Sequence, residues 1–158
     1  PVIAISQGAQ PIMGFNFGAG CYDRVKSTLF QAIKYATLIV TLGFILVMIF
    51  PDTVIRLFNP ADPELRRIGV NALRIFLAML PLVGFQICVG GYFQAVGKPR
   101  QGIFLTLTRQ LFVLLPCLFI LPRYFGLSGI WMVSPVSDLT AFTLCSILFA
   151  REMRVLKG

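Results

Sequence analysis

Pro1-Val-Ile-Ala-Ile5-Ser-Gln-Gly-Ala-Gln10-Pro-Ile-Met-Gly-Phe15-Asn-Phe-Gly-Ala-Gly20 opens the chain, and no charge interrupts it. A run of that length and apolarity can sit at bilayer depth. Yet Ser6, Gln7, Gln10 and Asn16 would each be costly against hydrocarbon, and Pro11 removes a helix hydrogen bond and kinks the chain. Amide-bearing, irregular helices persist in membranes where they are buried in protein or line a wet cavity. The stretch therefore points to a pathway, with the rest of the chain supplying its walls.

The composition fits such walls. Of 158 residues, 57% are hydrophobic and 13% charged, about half the charged share of a soluble domain. Four further apolar spans follow residues 1–20: Leu29 to Phe50, Ile75 to Val96, Gly102 to Leu121, and Gly129 to Ala150. Each ends in Pro, Gly or charge, as at Pro51-Asp52, Gly97-Lys98-Pro99-Arg100, Pro122-Arg123 and Arg151-Glu152. The expected fold is all-α and integral to the membrane, with five transmembrane helices.

Lys and Arg set the orientation. Arg24, Lys26, Lys34, Lys98, Arg100, Arg151, Arg154 and Lys157 fall on one side, and Arg56, Arg66, Arg67, Arg74 and Arg123 on the other. The richer side is expected to be cytoplasmic, which places the C-terminus inside. The net charge of +8 then means anionic lipid headgroups as partners. No basic stripe suggests nucleic acid. On the outer side, residues 52–58 alternate polar and apolar groups and suit a short interfacial helix. The next helix is expected to start near residue 63, with Asp62 as N-cap, Pro63 at its first position and Glu64 favoured by the dipole. A start on Pro inside an apolar span, with no initiator Met, fits a fragment of a larger protein whose insertion signals lie upstream.

No catalytic or metal-binding cluster is legible, so an enzyme is not expected. Cys21, Cys88, Cys117 and Cys145 share no metal or redox spacing, and His is absent. Gly14 and Gly18, and the pair Gly90 and Gly91, suit close helix packing or low bulk beside a cavity. Pro81 and Pro116 fall mid-span and Pro135 nearer one end; with Pro11 they are the expected kinks. Arg109 and Asp138 are the two full charges well inside spans, and neither can face lipid without a penalty of at least ~2.5–3.5 kcal/mol. On antiparallel neighbouring helices they are within reach of each other. They then form an ion pair that either locks two helices or serves a proton or cation relay.

Ser6-Gln-Gly-Ala-Gln-Pro-Ile-Met-Gly-Phe-Asn-Phe-Gly-Ala19 resembles the second helix of the C-terminal lobe in multidrug and toxic compound extrusion (MATE) transporters. Phe93-Gln-Ala-Val-Gly-Lys-Pro99, Thr108-Arg-Gln110 with Pro116, and Leu127-Ser-Gly-Ile-Trp131 with Pro135 and Asp138 follow in that family's order. The resemblance covers essentially the whole chain. It implies a twelve-helix antiporter of two six-helix lobes in a bacterial-type plasma membrane. This chain would be its eighth to twelfth helices, an incomplete C-terminal lobe whose partner is the missing N-terminal lobe. Such transporters export small cationic, amphipathic compounds by alternating access in exchange for Na⁺ or H⁺. Some members use acidic residues in this lobe, but Ile75 to Val96 carries none; Gln86 and Gln94 are its polar residues. No site for the coupling ion, no metal and no other cofactor is identifiable. The pathway residues expected are Gln7, Gln10, Asn16 and Gln86, with Val2 and Ile3 packed inside the lobe. A lipid-linked oligosaccharide flippase of the same superfamily, or a structural membrane subunit, are the alternatives.

Overall fold

The computed structural model describes residues 1–58 and 63–155, and helices account for nearly all of them. Helix α1 (Val2–Gly18) turns at Gly20, whose φ of 73° needs a glycine, into α2 (Tyr22–Ile49). A short α3 (Pro51–Phe58) follows, then α4 (Pro63–Phe76) and α5 (Leu80–Ala95). Gly97, at φ 74°, reverses the chain into α6 (Pro99–Leu107). That helix widens into a π-helical stretch, Thr108–Leu114, and continues as α7 (Leu115–Val155). Gly126 (φ 56°, ψ −135°) breaks α7, and its second half folds back antiparallel along the π-helical stretch. Among the described residues the fold is all-α, with long apolar helices and no strand.

By length and apolarity α2 qualifies to cross a membrane, as do the stretch from Pro99 to Arg154 and the bent pair Arg66–Phe76 plus Leu80–Ala95. The core forms where α1, α2 and α5 meet. Met13, Val25, Leu29, Cys88, Val89, Tyr92 and Phe93 are fully buried there, joined by Cys145 from α7. Edge-to-face rings extend it: Phe85 packs on Phe142 and Phe149, and Phe149 on Phe30. Outside this core the helices expose Leu, Ile and Phe broadly, as a surface that meets hydrocarbon or other helices does.

Several boundaries differ from the sequence reading. The span Ile75 to Val96 is broken: residues 77–79 form a turn and the two helices bend by 43°. Pro81 consequently sits in the first turn of α5, where its missing N–H costs nothing, rather than mid-helix. Pro116 is the second residue of α7, two residues beyond the π-helical stretch, whose wider turn relieves the proline ring's clash with the preceding turn. Pro122 does not end its helix; the chain stays helical to the break at Gly126. Pro11 and Pro135 lie inside α1 and α7. The helix start at Pro63 is present, while its cap Asp62 lies outside the described residues. Arg66 of α4 ties back to Asp52 of α3 through Nε and, at 2.8 Å, through Nη2, and Arg56 reaches the same carboxylate at 3.2 Å.

Candidate functional site

Ile3, Ser6, Gln7 and Gln10 recur at the spacing that places side chains on one face of a helix. Ser6 is buried and its hydroxyl donates to the Ile87 carbonyl on α5 at 3.3 Å. Gly91 makes that approach possible. A Cβ there would overlap the Ser6 Oγ and stand 3.0 Å from Gln10 Nε2, whereas a Cβ on Gly90 meets open space. Pro11, one residue past Gln10, withdraws the donor that would otherwise bond the Gln7 carbonyl. The polar face of α1 is thus pressed onto α5 with a backbone acceptor to spare.

A cavity of about 300 Å³ opens between that face, α5, the π-helical stretch and α7. Gln7, Gln10 and Gln86 all line it, together with Gln94, Thr106, Arg109 and Gln110; Ile3, Leu105, Ala141 and Cys145 complete the walls. Two residues stand apart from the arrangement expected of the intact protein's central cavity. Asn16 is not among the lining residues, and its amide donates to the Ile12 carbonyl of its own helix at 2.8 Å. It stands nine residues, about two and a half turns, beyond Gln7 and so points the opposite way. Ile3 does line the cavity instead of packing into the lobe, because it is four residues from Gln7. Gln110 entered the sequence reading only as part of a family-like motif, and Thr106 not at all. Their signal was polarity within one turn of Arg109 in an otherwise apolar span.

Arg109 Nη2 lies 2.6 Å from Asp138 Oδ1, with the arginine side chain 33% exposed and the aspartate 5%. The Ser134 hydroxyl donates to Asp138 Oδ2 at 3.4 Å, and Gln86 Nε2 donates to the Asp138 carbonyl at 3.0 Å. The Ser137 hydroxyl donates to the Arg109 carbonyl at 2.9 Å, a bond from outside to the irregular π-helical backbone. A second cavity, about 370 Å³, lies on the other side of the pair. Phe76, Leu80, Val83, Leu114, Leu118, Ile130 and Val133 are among its walls, with Arg109, Asp138 and Ser134 as its polar residues.

Glu152 escaped the sequence reading because it sits in a charged helix end, Arg151-Glu152, that served there only as punctuation. It is 6% exposed, and its Oε1 accepts from Tyr92 at 3.1 Å and from Lys98 at 2.5 Å. The four cysteines are free, and no group of three or more metal-ligating side chains occurs among the described residues.

Comparison with known proteins places this architecture. The MatE family model matches residues 1–120. The chain is 26% identical over 155 residues to the multidrug export protein MepA of Staphylococcus haemolyticus, covering 98% of this chain and 34% of that protein. It is 25% identical over 161 residues to the FAD transporter of Shewanella oneidensis, covering 99% and 34%. Among solved structures, a ligand complex of the MATE multidrug transporter DinF-BH superposes with a TM-score of 0.92 at 40% identity, over 100% of this chain and 35% of that one. An inward-facing multidrug resistance MATE transporter gives 0.91 at 22% identity, covering 99% and 37%, a likeness of fold. The chain therefore spans about a third of the length of the relatives it matches.

Proposed function

The chain belongs to the MatE family, and on that footing we propose that it is one lobe of a multidrug efflux transporter exporting cationic amphipathic compounds. The observation that carries the reading is the convergence of Gln7, Gln10, Gln86, Gln94 and Gln110 on one cavity inside an apolar bundle. Amide oxygens orient a cation without a fixed charge that would trap it, while neighbouring apolar side chains hold its body. Export proceeds by alternating access in exchange for Na⁺ or H⁺, with the other lobe of the same protein as partner. The lobe sits in a bacterial-type plasma membrane with its last helix ending in the cytoplasm, in keeping with the Lys/Arg asymmetry.

A second reading, export of an anionic aromatic compound, is favoured by two observations. Arg109 is the single charged residue lining the amide cavity, and one relative is named for FAD transport.

Efflux from cells expressing the intact protein separates the two readings. Gln10→Leu at matched expression is expected to cut the efflux of several cationic dyes, while Asn16→Ala, outside the cavity, leaves it near wild type. Unaltered dye efflux in Gln10→Leu would reject the amide cavity as the pathway. Export of flavin nucleotides with no dye efflux would favour the anionic reading.

A further inference from the structure

The Arg109–Asp138 pair is the wall between two cavities of opposite character. Arg109 lines both, whereas Asp138 and Ser134 line only the apolar one. We propose that the apolar cavity is a second binding site, taking organic cations with an apolar body. The ligand's cationic centre replaces Arg109 beside Asp138 while the guanidinium swings into the amide cavity.

The shape of the cavity fits such a ligand. Val83, Leu114 and Leu118 give it hydrocarbon walls, and Phe76 and Ile130 at its edge are 52% and 43% exposed, so it opens on the apolar surface of the lobe. At the polar end stands a carboxylate that is almost wholly buried and backed by the Ser134 hydroxyl. An anion entering the same space would meet Asp138 as a like charge.

The exchange keeps the buried carboxylate compensated, while the displaced guanidinium is solvated by neutral amides. Asp138 at this depth cannot remain ionised alone, so Arg109 leaves only when another cation arrives. Arg109 is the more exposed member of the pair and already borders Gln10, Gln94 and Gln110. Its five N–H donors find amide oxygens there. Its backbone belongs to the π-helical stretch, the least regular part of its helix. Arg109 is in this sense a tethered competitor that holds the site until a ligand displaces it.

The class of ligand rests on the export reading above; the site itself does not. The test is equilibrium dialysis of tetraphenylphosphonium against the purified intact protein. Leu118→Trp, a filling change at a partly exposed position, should weaken binding about tenfold or more. Arg109→Gln, which removes the resident cation, should tighten it, an effect that a purely structural pair would not produce. Asp138→Asn should abolish it, and the doubly neutral Arg109→Gln with Asp138→Asn covers the case in which the single change unfolds the protein. The absence of binding by the wild type would overturn the site, as would binding indifferent to Leu118→Trp. Binding lost with Gln10→Leu but not with Leu118→Trp would put the ligand in the amide cavity, overturning this inference and sparing the export reading. Cells that fail to export dyes while the purified protein binds tetraphenylphosphonium in a Leu118-sensitive way would do the reverse.

Discussion

Where α5 meets α1 and α2, contact is made by taking side chains away. Gly91 admits Ser6, and Gly84 lies so close to α2 that a Cβ would stand 3.0 Å from the Thr37 backbone. Gly14 does the same toward the Ala95 carbonyl, at 3.0 Å, although its sequence companion Gly18 meets open space. Where α5 and the π-helical stretch face the second half of α7, contact is made by adding polar groups. Gln86 donates to the Asp138 carbonyl, Ser137 to the Arg109 carbonyl, and Arg109 pairs with Asp138. The first seam relies on shape, which tolerates no change of volume and favours rigidity. The second relies on directional bonds, which can be exchanged for others, and both cavities lie against it.

The sharpest way to break this contrast is to remove one charge from the polar seam. Arg109→Ala leaves Asp138 buried without a partner and is expected to destabilise the intact protein by roughly 3–5 kcal/mol. The double change to Ala at both positions should recover much of that loss. Thermal melting in detergent measures each, and a double variant no more stable than the singles would mean that the two charges act independently.

The next largest effect belongs to the shape-dependent seam. Gly84→Ala must push α2 away and should cost about 1–3 kcal/mol by the same measurement. Gly90→Ala, whose Cβ meets open space, should be close to neutral. Equal losses at these two glycines would mean that helix flexibility, not close approach, sets the cost.

The smallest effect sharpens the picture of the polar seam. Ser137→Ala removes a single interhelical hydrogen bond, of a kind that averages about 0.6 kcal/mol in membranes. Melting should shift slightly, with much of the cost appearing as faster local hydrogen exchange around residues 109–114. A loss as large as that of Gly84→Ala would show that the π-helical stretch depends on this one bond.

These contrasts were unevenly legible in the amino-acid sequence. The amide stripe of α1 could be read because Ser6, Gln7 and Gln10 recur at the helical period against an apolar background. Asn16 lies on the other side of α1 from Gln7, an angular position that polarity alone does not convey. Arg109 and Asp138 stood out because charge is scarce in apolar spans, and counting along two antiparallel helices placed them near each other. The π-helical stretch left no mark: Thr-Arg-Gln-Leu-Phe-Val-Leu is ordinary helix-forming sequence, and the bond from Ser137 that meets it comes from a residue 28 positions away. The break before α5 was half legible. Pro81 announced a disruption, yet whether a proline kinks a helix or begins one depends on where the preceding helix is held, and α4 is held by contacts to α7. Glu152 was invisible because its partners Tyr92 and Lys98 lie on the far side of a helical hairpin.

That last trio has a mechanical meaning. Between Lys98 and Glu152 the chain runs out along one helix, reverses at Gly126 and returns along another. The hairpin is thus fastened at one end by a covalent one-residue bend and at the other by a salt bridge. A frame closed at both ends cannot let one strut slide along the other; loaded from the side, it can only bow. Bowing concentrates at the weakest section of the strut, which here is the π-helical stretch carrying Arg109. The π-helical stretch that carries Arg109 is thus the irregular section of a strut fixed at both of its ends.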